Sequence, residues 1–459
     1  MAAGFEFQLE PVDVPPVSTK YRKIQGQLPV PESLEILQML DRYESRSMHG
    51  QMPLVWDRAQ GVQVYDAWGN MWLDFTSTIF VANAGHGNPR IREALRAVLE
   101  KPLFHSYTYA TRERAEFLKF LVENSPDQFE KAYMLSAGTE AVEACLKLMR
   151  MHGKQEGKRK GVILTFEGNW HGRTLGAQML SHNPAQKDWV GYHDPQIHHL
   201  PFPYPWSREA QADPALFFQR GLDELCRRKE LDPDKDICGV LLETFQGWGA
   251  LFYPEEFVKE VERFCRESGV LMAFDEMQAG FGRTGSLYGY QHYGVKPDIL
   301  CLGKGASSSM PLSIVLSSKK ILDLPEVGSM SSTHSANPWV CAAGKANLEE
   351  LLEGGLIENS RVLGEVFQQR LGVIQEEFSQ QIGLVTGKGL LAALHFRDSG
   401  GNPLSEAASK VCELAMQKGL LLVHTGRESI KLAPPLCIER EALEEGIEVL
   451  HESIREILG

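Results

Sequence analysis

Lys304 stands in Gly303-Lys304-Gly305, directly after the apolar run Ile299-Leu300-Cys301-Leu302 and before Ala306-Ser307-Ser308-Ser309. A lysine between two glycines is ordinarily a solvated turn residue. One that follows a buried strand is desolvated, and a desolvated amine is a better nucleophile toward carbonyl compounds. Asp275 and Glu276 close the run Val270-Leu271-Met272-Ala273-Phe274 in the same way. A carboxylate at such a place is partly buried and requires a cationic partner or several donors, unless it only caps the next helix. The Gly-rich stretch from Gln278 to Gly285 comes next and brings a side-chain amide. A third run, Ala132 to Leu135, leads into Ser136-Ala137-Gly138-Thr139-Glu140 and a helical pattern through Val142, Cys145, Leu146 and Met149. Small residues let the backbone approach closely, and free N–H groups at a helix start suit a phosphate. The same turn is also a common plain helix cap.

These residues need elements to position them. Compact apolar runs recur at 132–135, 161–166, 239–242, 270–274, 299–302 and 314–316, each followed by a polar or Gly-rich turn and mostly by a helical pattern. Continuous apolar strands alternating with helices indicate an α/β sheet covered on both faces, whose ligands bind beyond the carboxyl ends of the strands. After about residue 340 amphipathic helices (342–353, 359–378, 403–418, 440–457) surround short strands at 390–396 and 430–432, a C-terminal α+β lobe. Residues 1 to about 30 read as a Pro-rich arm, a helical pattern follows Pro31-Glu32-Ser33, and 62–74 reads as a small antiparallel patch.

The chain of 459 residues can bury a large core, and its formal charge of -13 argues against a nucleic-acid binder. Eight scattered cysteines without a CxxC pair read as reduced core thiols, and no metal site is expected. Neither a signal peptide nor an apolar run long enough for a membrane span is visible, so the expected location is the cytoplasm, with no membrane partner.

Taken in order, the motifs resemble those of the class III (ω-type) aminotransferases of pyridoxal-phosphate (PLP) fold type I. They are Gly85 to Pro89, Ser136 to Glu140, Trp170-His171-Gly172-Arg173-Thr174, Glu243 to Gly247, Asp275 to Gly285, Pro297 to Lys304, Thr333 to Pro338 and Ala433 to Leu436. The resemblance spans about Leu54 to the C-terminus. It implies a mostly parallel seven-stranded sheet covered by helices plus a smaller α+β domain. The implied division is an N-terminal arm with part of the small domain at 1–74, a large PLP-binding domain at 75–338 and a small domain at 339–459.

The resemblance also implies roles. Lys304 matches the lysine that forms the internal aldimine and then shuttles a proton, with Asp275 on the pyridine nitrogen. An ion pair at 4 Å is worth ~4 kcal/mol at an effective dielectric of 20, enough to keep that nitrogen protonated. Trp170 matches the ring-stacking aromatic, with His171 beside it in the motif, and Gln278 matches the partner of the ring hydroxyl. Gly138 and Thr139 match the phosphate cradle, and Thr333 a residue that reaches the phosphate of the neighbouring subunit's cofactor. That requires a homodimer, alone or as half of a tetramer. Glu243 matches a residue that orders the cavity wall, and Arg283 reads as structural.

The pattern departs at the substrate gate. Relatives that use glutamate carry a Glu after Gln-Gly and an Arg two residues before Pro-Pro, where this chain has Trp248 and Lys431. Lys431 is then expected to receive an anionic substrate group, with Trp248 as an apolar or cation-binding wall and Arg427 as the rival cation. Ile79 and Phe80 suggest an apolar pocket floor. The expected reaction is ping-pong amino transfer between an amino acid or amine and an oxo acid or aldehyde. The alternatives are a racemase, epimerase, aminomutase or decarboxylating transaminase on the same cofactor, and an idle scaffold.

Overall fold

The computed structural model describes residues 5–459. The six apolar runs form strands, and a seventh joins them. They are β1 Lys131–Leu135, β2 Val162–Phe166, β3 Ile197–Leu200, β4 Ile237–Glu243, β5 Leu271–Asp275, β6 Ile299–Leu302 and β7 Ser313–Ser317. They make one seven-stranded sheet in the order β3-β2-β4-β5-β6-β7-β1. Neighbours from β3 through β6 are parallel, whereas β7 runs antiparallel to both β6 and β1. The sheet is therefore mostly parallel, as expected.

Side chains alternate across a strand, and both faces are apolar here. One face presents Ile163, Leu241, Ala273, Ile299 and Val315 to helix α1 (Gly138–Gln155), which contributes Val142, Cys145, Leu148 and Met149. The other face presents Leu164, Val240, Leu242, Met272, Phe274 and Leu300 to a cluster that includes Phe257, Val261 and Phe264 of α2 (Glu255–Glu267). Coverage on both sides explains why the strands read as continuous apolar runs. It also fixes which edge is left for ligands: β1, β2, β4, β5 and β6 all end on the same side, because β7 alone is reversed.

The C-terminal part contains α3 (Pro338–Glu353), α4 (Leu356–Glu377), α5 (Ser405–Gln417) and α6 (Arg440–Leu458). Between them lies an antiparallel sheet of β8 (Ile382–Lys388), β9 (Leu391–Phe396), β10 (Val423–His424) and β11 (Ser429–Leu432), ordered β8-β9-β11-β10. The N-terminal patch includes Gln63–Tyr65 paired antiparallel with Met71–Asp74, and the latter also pairs in parallel with Leu420–Leu421. Leading and trailing parts of the chain are thus joined by backbone hydrogen bonds. No helix among the described residues is long and apolar enough to cross a membrane.

Candidate active site

Register brings the first functional group together: Glu243 pairs with Asp275, and Asp275 with Cys301, at the ends of three adjacent strands. Asp275 is 5 % exposed. Its carboxylate accepts from His171 Nδ1 (2.9 Å) and from the Met277 amide (3.1 Å). A carboxylate only accepts, so the His171 proton sits on Nδ1, while Nε2 lies 3.1 Å from Thr165 Oγ1. The partner that a buried Asp275 requires is therefore His171. Sequence reasoning placed His171 in the cofactor set without identifying this bond.

Glu243 accepts from the amides of Trp170 (2.9 Å) and Gly247 (3.2 Å). Burial and the adjacent Asp275 push its pKa well above the ordinary value. Lys304 begins the turn after β6 with φ of 46°, a left-handed torsion that L-residues rarely adopt. Burial lowers its amine pKa, while Asp275 and Glu243 act in the opposite direction. The amine is desolvated within electrostatic reach of both acidic side chains.

Phosphate chemistry fits the start of α1. As its first two residues, Gly138 and Thr139 have backbone N–H groups without intrahelical acceptors, and Glu140 already satisfies the amides of Ser136 and Ala137. A Cβ on Gly138 would lie 2.7 Å from Met277 Sδ, and one on Gly303 2.5 Å from the same sulfur. A Cβ at either position would push the Met277 thioether aside. Thr139 Oγ1 bonds the hydroxyl of Thr174 (2.6 Å). Thr333 stands apart from this group: it is exposed, and its carbonyl accepts from His105 Nε2 (2.8 Å).

A cleft of about 690 Å³ opens over Trp170, Gln278 and Lys431, and is also lined by Ile79, Trp248 and Arg427. Arg173 lies 4.7 Å from the Trp170 ring centroid. Lys431 Nζ is buried and donates to Gly247 O (2.6 Å) and Gln278 Oε1 (3.1 Å). Burial, followed by the proximity of Lys304, takes its pKa down to about 7. Trp248 lines the cleft and supports Arg427, whose guanidinium carbon is 3.7 Å from the indole centroid. Phe80 is 1 % exposed and lies beneath Lys431, 4.7 Å from Nζ, so it backs the floor while Ile79 faces the cleft.

Residues Ser77 to Phe80 form a turn in which every φ is positive (46, 51, 60 and 70°). Such torsions cost roughly 1–2 kcal/mol per residue. Arg283, with no exposed surface, holds them by donating to Ser77 Oγ, Asn83 Oδ1, Leu390 O and Pro434 O. Its structural reading agrees with these contacts. Tyr204, Asn183 and His424, which also line the cleft, were not anticipated. Tyr204 sits in the Pro-rich loop Pro201 to Pro205, where neither spacing nor periodicity signals a site.

The family model for "Aminotransferase class-III" matches residues 45–454. The chain belongs to the class III aminotransferases. It is 33% identical to an ornithine aminotransferase of Saccharomyces cerevisiae, covering 92% of this chain and 98% of that one. It is 31% identical to an alanine/serine racemase of Pyrococcus horikoshii, covering 98% and 96%. Among solved structures, an (S)-enantioselective omega-transaminase from Thermomicrobium roseum superposes with a TM-score of 0.85 at 27% identity, covering 93% and 99%. Members of this family depend on PLP, and this chain is a PLP-dependent aminotransferase of fold type I. The free amides at Gly138 and Thr139, the lowered amine of Lys304 and the buried carboxylate of Asp275 fit that cofactor.

Proposed function

We propose that Lys304 is the covalent attachment point of PLP and the proton carrier in amino transfer from an amino acid or amine to an oxo acid or aldehyde. The observation that carries this reading is the placement of Asp275 at the end, and of Lys304 just past the end, of adjacent parallel strands, with the amine desolvated and the carboxylate held by His171. When bound, the cofactor supplies an electron sink for the carbanion left by deprotonation at the substrate carbon. Asp275 holds the proton on the pyridine nitrogen and so sustains that sink. Lys304 removes the substrate proton and returns it, and a lowered pKa keeps a fraction of the amine free to do so. Trp170 would cover the ring, Gln278 would donate to its hydroxyl oxygen, and Gly138 and Thr139 would bind the phosphate. Glu243 orders the Trp170 to Gly247 wall.

At the mouth, Arg427 is the better carboxylate receiver. It is half exposed, and its tie to Glu428 uses Nε (3.4 Å), whereas Lys431 has committed two donors to neutral oxygens. A stacked guanidinium also offers a bidentate fork, which an ammonium does not.

The reading includes a cytoplasmic homodimer. It draws support from eight free cysteines and from exposed Leu103, Phe104, Tyr107 and Tyr109, close in sequence to the His105 that binds the Thr333 loop. Thr333 then serves the site of the neighbouring subunit. Racemisation is the second reading, favoured by the likeness to the Pyrococcus racemase.

Borohydride reduction and peptide mapping test the attachment: labelling anywhere but Lys304 overturns it. Release of one equivalent of oxo product per site from donor alone supports transfer. Inversion of the donor with its nitrogen retained supports racemisation.

A further inference from the structure

Gln278 presents two ends of an amide that differ only in which atom donates, and something must choose between them. Lys431 Nζ lies 3.1 Å from the oxygen end, and the same amine is anchored at 2.6 Å on Gly247 O. Gly247 is itself fixed, since its amide donates to Glu243 Oε1 (3.2 Å) and a Cβ there would fall 2.1 Å from Gln278 Nε2. Lys431 already donates to Gly247 O, and in its protonated form it has donors and no acceptor. Were the amide turned over, its N–H₂ would face the ammonium, donor against donor, inside a buried site. The amine is hydrogen-bonded to no carboxylate; its two bonds run to neutral oxygens, and the Phe80 ring lies below it.

On this basis, and resting on the assignment of Gln278 to the cofactor ring, we infer that Lys431 is a positioning residue: it binds Gln278 Oε1 and thereby holds Nε2 as a donor to PLP. The lysine that replaces the gate arginine of glutamate-using relatives has thus been turned inward. It orders the cofactor's hydrogen bond and leaves recognition of substrate anions to Arg427. Lys304 and Glu243 are the charged groups that act on Lys431, and Gln278 is bonded to it, so a change in the order of Gln278 registers in the protonation of the bound cofactor.

Two quantities report this without turnover: the midpoint of the pH titration of the visible absorption of PLP-loaded protein, and the dissociation constant for PLP. Lys431→Met and Gln278→Ala are each expected to shift the midpoint in the same direction and to weaken PLP about 10-fold. The double variant is expected to be no worse than either alone, because coupled residues do not add. Lys431→Arg, which keeps a donor, is expected to retain the wild-type midpoint. If Lys431→Met does not fold, Lys431→Gln takes its place, since its shorter side chain does not span the same bond. An unchanged midpoint and affinity overturn the inference, and so do shifts that add in full, which would show the lysine acting through charge alone. Failure of the wild-type protein to develop a visible band would instead overturn the reading of Lys304.

Discussion

The imidazole of His171 donates from Nδ1 to Asp275 at 2.9 Å, and both side chains are buried. The bond occupies Oδ2 while Oδ1 accepts from the Met277 amide, so the orientation of the carboxylate is fixed from both sides. His171→Ala leaves a buried acceptor short of a donor, at about 1–3 kcal/mol in folding stability. Urea unfolding should show that loss. The rate of amino transfer should fall at least 10-fold while folded protein can still be recovered.

Met277 lies beside two glycines, and a Cβ on Gly138 would meet its sulfur at 2.7 Å unless the thioether moved aside. Gly138→Ala is expected to weaken PLP binding about 10-fold or more, measured by equilibrium dialysis. Adding Met277→Ala should recover part of the loss. No recovery would place the effect in the backbone and not in the crowding.

Arg427 lies 3.7 Å over Trp248 at the cleft mouth. Arg427→Ala should raise KM for carboxylate-bearing substrates about 10-fold to 100-fold, in line with about 1.5–3 kcal/mol for charged hydrogen bonds. Uncharged amines should be unaffected. Trp248→Ala should have a smaller effect of the same kind, because an exposed cation–π contact contributes about 0.5–1 kcal/mol.

Lys431 has its folded pKa lowered from 10.5 to about 7. Below pH 7 the folded and unfolded states both carry the proton, and the fold bears the full cost of a buried ammonium. Between pH 7 and 10.5 the unfolded state binds more protons, so stability rises with pH, by at most about 1.4 kcal/mol per unit. The difference in unfolding free energy between the cofactor-free wild type and Lys431→Met should therefore shift in favour of wild type across that window.

Mixed dimers test Thr333. When Lys304→Ala chains are combined with Thr333→Ala chains, a Thr333 that serves the partner site regenerates one intact site per mixed dimer. Activity then rises above that of Thr333→Ala alone. If Thr333 serves its own subunit, mixing gives no gain.

Most of the sheet could be read in the sequence because its core strands are apolar on both faces. The exception is β3, whose Ile-His-His-Leu carries polar residues in the middle and pairs only with β2 at the edge of the sheet. β8 was missed for a related reason: Ile382–Lys388 is largely half-buried and contains two glycines. At the site, residues fixed by strand ends, such as Asp275 and Lys304, could be placed from order alone. The partners of Lys431 and Trp248 could not, because they come from segments far apart in the chain: Lys431 meets Gly247 and Gln278, and Trp248 meets Arg427.

Left to their own torsional preferences, Ser77 to Phe80 would unwind, and Ile79 would leave the cleft wall. The Arg283 guanidinium, together with the Ser77 hydroxyl that donates to Ala433 O, prevents this by tying the turn to the segments at Leu390 and Pro434. Substrate range can therefore drift through the side chain at position 79 alone. Reshaping the backbone beneath it would first require dismantling a brace shared with the C-terminal lobe.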